Sequence, residues 1–220
     1  MIVITGASDG LGKALAKLYT DSGSTVVNIS RRACKHAEHN LLHDLRDPAQ
    51  IATAAKEIDA IDEPLEAVIN CAGVLSIESL GNVSEQAVSK VLETNVQAQI
   101  LLVSELMDRI KKDKTDIVNV SSTVGTKGYV DQAAYGASKW AVRGFSANLQ
   151  AEFKDLPNRV ISFCPGGFES QIFQKATGAE NQDFTHWMDP ADVALCMKQL
   201  LDLPKNMEVS EIIINRKAIK

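Results

Sequence analysis

Residues 1–12 of this chain read MIVITGASDGLG. An apolar, β-branched run ends at Thr5, and the next seven residues place glycines at positions 6, 10 and 12. A helical pattern follows, stops at Gly23 and leads into a second apolar run, Thr25–Ile29. Strand, glycine loop, helix and strand in this order predict the βαβ unit of a parallel sheet.

The glycine loop stands at the start of a helix, where backbone amides and the helix dipole favour a phosphate group. A nucleoside triphosphate loop is excluded, because Ala7 and Ala14 stand where that motif needs a glycine and a hydroxyl. The pattern therefore favours the pyrophosphate of a dinucleotide, and a glycine-rich turn without a ligand is the alternative.

The same alternation of strands and helices continues along the chain. Expected strands lie at Leu41–Leu42, Leu65–Asn70, Asp116–Ser121, Val160–Cys164 and Val209–Ile214, and expected helices at Pro48–Ile58, Ser84–Lys112, Ala134–Phe153 and Pro190–Leu201. We predict one domain over residues 1–220, with a doubly wound α/β fold of the Rossmann type. Its seven-stranded parallel sheet has helices on both faces and binds ligands beyond the carboxyl ends of the strands.

The composition excludes several classes of function. With 45% hydrophobic residues and a net charge of −5, the chain lacks the basic face expected of a nucleic-acid-binding protein. No run approaches the roughly 20 apolar residues of a membrane span, and the apolar start is too short for a signal peptide. We therefore expect no nucleic-acid or membrane partner and a cytoplasmic location.

Cysteines and histidines do not form a convincing metal site. The four cysteines are widely spaced and are expected to be reduced and packed: Cys34, Cys71, Cys164 and Cys196. Cys34 with His36, His39 and His43 suggests a metal ion, but this segment is short and no acidic residue is placed to orient the imidazoles. No metal is expected.

Tyr135 and Lys139 are the pair that points to catalysis. At a spacing of four residues in a helix, the two side chains lie on one face, one turn apart. A nearby ammonium favours the phenolate and lowers the pKa of a tyrosine from its usual value of about 10. We therefore expect Lys139 to make Tyr135 a general acid and base.

Six motifs in this chain stand in the order and approximate spacing of the short-chain dehydrogenase/reductase family, and the chain resembles its compact single-domain branch. They are Thr5-Gly6-x3-Gly10-x-Gly12, Asn70-Cys71-Ala72-Gly73, Asn95, Ser122, Tyr135-x3-Lys139 and Pro165-Gly166. The resemblance extends from Thr5 to the closing strand. The family usually has an asparagine where this chain has Cys71, and we expect the turn there to stay intact. It commonly has a threonine where this chain has Ser170, which keeps the hydroxyl group.

The resemblance implies transfer of a hydride between a nicotinamide ring and a carbonyl or alcohol carbon. Tyr135 then supplies the companion proton, Lys139 contacts the nicotinamide ribose, and Ser122 binds the substrate oxygen. Asn95 resembles the residue that holds a water linking the lysine to solvent, and a tolerated mid-helix asparagine is the alternative. Ser121 is the rival serine, but strand alternation and the offset from Tyr135 favour Ser122.

Ser30-Arg31-Arg32, at the end of the second strand, bears on the cofactor. By the same resemblance, an acidic residue there accepts the ribose hydroxyls of NAD, whereas a basic one pairs with the 2′-phosphate of NADP. Because Ser30 is uncharged, it does not repel the 2′-phosphate, and the planar guanidinium of Arg31 can donate hydrogen bonds to that phosphate. NADP is expected, with NAD or a merely solvated turn as alternatives. Asp9 argues against NADP, because NADP-preferring relatives often carry a basic residue at this position.

The resemblance also implies a larger set of cofactor contacts. These are Gly6, Ser8, Asp9, Gly10, Leu11, Gly12, Ser30, Arg31, Arg32, Asp44, Leu45, Asn70, Ala72, Gly73, Tyr135, Lys139, Pro165, Gly166, Phe168 and Ser170.

Residues 167–189 form a long irregular connection, which we expect to be a substrate lid. Its apolar residues are expected to cover the nicotinamide: Phe168, Ile172, Phe173, Phe184, Trp187 and Met188. For every residue of this segment except Phe168 and Ser170, the alternative is that its side chain packs against the edge of the sheet without touching substrate. The expected substrate is a small to medium, largely apolar carbonyl or secondary alcohol.

The helices that follow Ser84 and Ala134 carry apolar residues away from the catalytic face, among them Leu101, Trp140 and Phe145. In the family these helices pair across subunits, so a homodimer or homotetramer is expected, with burial inside the monomer as the alternative. The rival function is a redox sensor that binds NADP(H) without significant catalysis.

Overall fold

The computed structural model describes residues 1–178 and 183–217, and in this part of the chain seven parallel strands form one sheet. The strands are β1 (Ile2–Thr5), β2 (Val26–Ile29), β3 (His39–Leu41), β4 (Ala67–Asn70), β5 (Asp116–Val120), β6 (Val160–Pro165) and β7 (Glu211–Ile214). Their spatial order is β3-β2-β1-β4-β5-β6-β7. The predicted seven-stranded parallel sheet is confirmed.

Helices cover both faces of the sheet, as predicted. They are α1 (Gly10–Asp21), α2 (Pro48–Asp59), α3 (Glu85–Leu92), α4 (Ala98–Glu105), α5 (Met107–Asp113), α6 (Ala133–Glu152), α7 (Gln171–Thr177) and α8 (Pro190–Leu201). One apolar cluster joins the sheet to α2, α4 and α6, and a second joins the opposite face to α1 and α8. In the described residues, no helix is both long and apolar enough to cross a membrane.

The strand order places a crevice between β1 and β4. β2 and β3 lie on one side of β1, whereas β4 to β7 continue on the other. Thr5, Asn70 and Asn119 stand side by side in the register, near the carboxyl ends of their strands. Doubly wound sheets bind ligands at such a switch point, outside the carboxyl ends of the strands.

The single helix predicted from Ser84 to Lys112 is wrong. A π turn at Glu93–Gln97 separates α3 from α4, and Leu106 separates α4 from α5. Apolar periodicity does not show such breaks, because the residues on either side keep helical spacing. Strand ends also differ slightly: β3 begins at His39 and does not include Leu42, and β7 begins at Glu211.

The connection at 167–189 is not irregular throughout, because α7 lies within it. Residues 179–182 of this predicted lid lie outside the described residues, as do residues 218–220 of the predicted domain. Gly178, with φ of +69°, ends α7 in the left-handed conformation that glycine adopts without strain. A short helix that ends on a glycine was therefore missed in a segment interpreted as loop.

Candidate active site

The glycine loop leads directly from β1 into α1. Gly6 and Gly10 adopt φ values of +74° and +50°, which favour glycine. A Cβ atom on Gly12 would lie 2.5 Å from the Gly6 carbonyl oxygen, so any side chain there forces the loop apart. Leu11 is packed in the core. Close backbone contacts within the loop thus place the amide groups at the start of α1 beside the end of β1.

Thr5 ties this loop to the turn after β4. Its hydroxyl accepts hydrogen bonds from the amides of Cys71 and Ala72, both at 3.0 Å. A Cβ atom on Gly6 would lie 2.9 Å from the Ala72 Cα atom, so the two turns are in direct contact. The replacement of the usual asparagine by Cys71 leaves this turn in place, as expected.

Ser122, Tyr135 and Lys139 meet above the end of β5. Ser122 follows β5 and accepts a hydrogen bond from the Val124 amide at 3.2 Å. Ser122 is also hydrogen-bonded to the Tyr135 phenol. The Lys139 ammonium lies 5.6 Å from the centroid of the Tyr135 ring and donates to the Val120 carbonyl at 2.9 Å. The structure therefore brings the three side chains together.

Burial dominates the ionisation of this group. It raises the pKa of Tyr135 to about 12, against the opposing effect of the hydrogen bond with Ser122. It lowers the pKa of Lys139 to about 8. The expected net lowering of the Tyr135 pKa is wrong: the net shift is upward, because desolvation of the phenol dominates, while the Val120 carbonyl holds the Lys139 ammonium. At neutral pH, Tyr135 is therefore a protonated acid.

Asn95 lies in the π turn and is fully buried. Its side chain accepts from the Val74 amide at 2.8 Å and donates to the Val74 carbonyl at 2.9 Å and to Ser138 Oγ at 3.0 Å. A Cβ atom on Gly73 would lie 3.4 Å from Asn95 Oδ1 and 3.7 Å from Lys139 Nζ. Asn95 thus fixes the turn after β4 beside the lysine, which a merely tolerated asparagine would not do.

The two neighbouring serines have different surroundings. Ser121 is buried and donates to the Lys139 carbonyl at 2.8 Å, whereas Ser122 is partly exposed. Arg143 supports the turn that follows Ser122: it donates to the Gly125 carbonyl at 2.7 Å and forms an ion pair with Glu211. Sequence reasoning missed the positioning contacts of Ser121 and Arg143, because both are common residue types that gave no signal of these contacts.

The basic residues after β2 lie at the far end of the cleft. Ser30 donates its hydroxyl hydrogen to the Arg32 carbonyl at 2.6 Å, which fixes the turn, and Arg31 and Arg32 are exposed. A hydrogen bond with Arg46 lowers the pKa of Asp44, and the charge of Arg31 lowers it further. Leu45 is buried in the core, so its side chain does not face an open surface.

The residues after β6 approach the glycine loop from above. The Gly166 amide donates to the Ile214 carbonyl at 2.7 Å, which fixes the turn after Pro165 to β7. A Cβ atom placed on Gly10 would lie 3.1 Å from Ser170 Cβ and 3.9 Å from the Phe168 ring. The structure thus brings Phe168 and Ser170 to the start of α1.

Aromatic residues of the 167–189 segment pack on one another. The Trp187 ring lies 6.0 Å from that of Phe173 and 5.3 Å from that of Phe184, both edge to face. The Arg216 guanidinium lies 5.1 Å from the centre of the same indole. This cluster anchors the segment beside the turn after β6. Across residues 1–178 and 183–217, no group of three or more His, Cys, Asp or Glu side chains is arranged to hold a metal ion.

Comparison with known proteins gives consistent results. The family model described as short chain dehydrogenase matches residues 1–181. Benzil reductase ((S)-benzoin forming) of Bacillus cereus is 30% identical over 209 residues, which cover 84% of this chain and 82% of the relative.

Two solved structures share the fold. The closed form of serine dehydrogenase complexed with NADP+ has a TM-score of 0.88 at 22% identity, covering 97% of this chain and 94% of that one. The 4-hydroxyisoleucine dehydrogenase complexed with NADH and succinate has a TM-score of 0.81 at 24% identity, covering 98% and 97%. At these identities the two structures establish the Rossmann-type fold alone.

Proposed function

The chain belongs to the short-chain dehydrogenase family of oxidoreductases, and we propose that it transfers a hydride between NADP(H) and a carbonyl or secondary alcohol of a small to medium, largely apolar substrate. The observation that carries this proposal is the cluster of Ser122, Tyr135 and Lys139 beyond the end of β5, with Asn95 fixing the adjacent turn.

The cofactor would lie along the carboxyl ends of β1, β4 and β6. The start of α1 would hold the pyrophosphate, the turn at residues 70–73 and Lys139 the nicotinamide ribose, and residues 165–170 the nicotinamide. Bound NADP(H) supplies or accepts the hydride, which this chain's side chains cannot do. The close backbone packing at Gly6 and Gly12 supports this placement, because it holds the start of α1 directly against the ends of β1 and β4.

The side chains then perform the proton chemistry. Because burial keeps the Tyr135 phenol protonated at neutral pH, it donates its proton to the carbonyl oxygen during reduction. Ser122 donates to the same oxygen as negative charge develops there. Lys139, held at Val120, supplies the positive charge that stabilises the phenolate left behind.

The preference for NADP(H) rests on charge at the end of β2. None of Ser30, Arg31 and Arg32 is acidic, and both guanidinium groups are exposed beside the cleft. A phosphate would gain two charge-assisted partners there, whereas ribose hydroxyls would meet no acidic acceptor at these three positions. Asp9, which argued against NADP, is itself paired with cations.

The test is a spectrophotometric panel of carbonyl compounds, benzil included, run with NADPH and with NADH. We expect the higher kcat/KM with NADPH, and Arg31→Gln to lower it by about tenfold while changing the NADH value by less than about twofold. Arg46→Gln, which removes a guanidinium already paired with Asp44, is the matched control. Activity with NADH alone would refute the NADP assignment, and tight NADPH binding without turnover would favour the redox sensor.

We also propose that the enzyme is a homodimer or homotetramer. Leu101 and Phe145 pack against the core of their own chain, so they no longer support an interface. Trp140 is 51% exposed, and Leu92 and Ile100 are each 41% exposed. We expect light scattering to give at least a dimer mass and Trp140→Glu to lower it. A monomer mass for the unaltered protein would contradict this proposal.

A further inference from the structure

Asp9 in the glycine loop is shared by two cations from distant parts of the chain. Its Oδ2 atom lies 2.6 Å from Nζ of Lys175 in α7 and 3.8 Å from a guanidinium nitrogen of Arg32 after β2. Its Oδ1 atom accepts a hydrogen bond from the Gly10 amide at 2.8 Å. Both carboxylate oxygens are therefore engaged, and Lys175 is the nearer cation.

The backbone around this contact holds Lys175 near the glycine loop. α7 begins directly after Ser170, whose Cβ atom lies 3.1 Å from the position of a Gly10 Cβ atom. Lys175 stands in the last turn of α7, on the same helix that Ser170 precedes. The ion pair consequently joins the proposed lid to the glycine loop of the cofactor cradle.

The negative charge of Asp9 opposes the binding of an anionic cofactor group beside it. Because it lies 3.8 Å from Arg32, an anion bound by the two arginines faces the Asp9 carboxylate. Like charges this close at a partly hydrated surface repel each other, and a phosphate carries nearly two charges. An ammonium at 2.6 Å cancels most of that repulsion.

We infer that Lys175 determines specificity for the phosphorylated dinucleotide by neutralising Asp9 beside the 2′-phosphate position. This inference rests on the proposed use of NADP(H). It assigns to the proposed lid a role in choosing the cofactor, through a residue that does not itself belong to the glycine loop or to β2. Because coupling between binding free energies is reciprocal, NADPH stabilises the contact between α7 and the glycine loop more than NADH does.

A purely structural role makes a different prediction. An ion pair between partly exposed side chains, here 53% and 28% exposed, stabilises a structure only slightly. If Lys175 merely fastens α7, its loss weakens NADPH and NADH binding to the same extent. If it neutralises Asp9, its loss weakens NADPH binding selectively, and only while Asp9 is charged.

The experiment measures dissociation constants of NADPH and NADH by nicotinamide fluorescence, without substrate. The proteins are the unaltered enzyme, Lys175→Met, Lys175→Arg, Asp9→Asn and the double variant Asp9→Asn/Lys175→Met. Lys17→Met is the matched control, because it removes a similarly exposed lysine from α1 whose partner is Asp21. Thermal melting checks that every variant is folded.

We expect Lys175→Met to weaken NADPH binding by about five- to tenfold and NADH binding by less than about twofold. Lys175→Arg and Lys17→Met should keep the NADPH to NADH ratio of the unaltered enzyme. In the Asp9→Asn background, Lys175→Met should change NADPH affinity by less than about twofold, because no carboxylate is left to neutralise.

Two results overturn the inference. One is an equal weakening of both dinucleotides by Lys175→Met, and the other is an effect of Lys175→Met that persists undiminished in the Asp9→Asn background. If the unaltered enzyme binds NADPH but its preference over NADH does not depend on Lys175, this inference alone is rejected. Failure of the unaltered enzyme to bind either dinucleotide rejects the proposed function as well.

Discussion

Replacing Tyr135 with phenylalanine is expected to lower kcat for carbonyl reduction by about 10³-fold, within the usual range for loss of a general acid. The phenol is hydrogen-bonded to Ser122 and, with its pKa raised to about 12 by burial, is fully protonated at pH 7. Phenylalanine keeps the ring that packs near Lys139 and removes only the proton donor. NADPH affinity should therefore change by no more than about threefold, because the ring does not carry cofactor charge.

Tyr129→Phe is the matched control for this prediction. Tyr129 lies in the loop between Ser122 and α6, is 44% exposed and has the Lys127 ammonium 5.5 Å from its ring centroid. Like Tyr135, it is a tyrosine with a lysine ammonium near its ring, but it does not contact Ser122. Single-turnover reduction should be normal in Tyr129→Phe and nearly absent in Tyr135→Phe. Activity that survives in Tyr135→Phe would require another proton donor and would refute the mechanism.

The architecture could be predicted because its signals are local. β-Branched runs, the glycine loop and Pro48 or Pro190 at helix starts each indicate an element within a few residues, and alternation then specifies a parallel sheet. The observed sheet agrees with that prediction. The π turn was not predictable from periodicity, and Asn95 within it is held by hydrogen bonds to Val74, 21 positions away, which the sequence does not reveal.

The residues that form the site could be predicted from the sequence, whereas the direction of the Tyr135 pKa shift could not. Sequence spacing placed Tyr135 and Lys139 on one helical face, which α6 confirms. It gave no account of desolvation, which depends on everything packed around a group and which raises the pKa of Tyr135. Contacts between distant segments were equally hidden: Asp9 and Lys175 are 166 positions apart, and neither residue indicates the other.

Lys139→Met is expected to stabilise the folded protein while lowering kcat by about 10³-fold, because the charge that supports proton transfer is costly to bury. Burial lowers the Lys139 pKa from 10.5 to about 8. At pH 7 this shift costs the folded state about 3 kcal/mol, since each pKa unit corresponds to about 1.4 kcal/mol. The lost hydrogen bond to Val120 offsets about 1 kcal/mol, which leaves a net gain of about 2 kcal/mol.

The pH dependence identifies the cause of that stabilisation. Below pH 8 the lysine binds its proton in both states, so the cost is constant. Between pH 8 and 10.5 the folded state loses the proton while the unfolded state keeps it, so this lysine makes the free energy of unfolding of the unaltered protein rise with pH. Other groups contribute equally to both proteins, so the advantage of Lys139→Met should shrink steadily above about pH 8 and vanish at about pH 10.

Urea unfolding of both proteins at four pH values from about 7 to about 10 measures this difference directly. Lys17→Met, which removes an exposed lysine, is the matched control. A difference for Lys139→Met that stays constant with pH would mean that the buried ammonium does not carry the cost. A variant that is both less stable and inactive would make Lys139 a structural residue, whereas a more stable and inactive one would show that this site keeps a charge the fold itself disfavours.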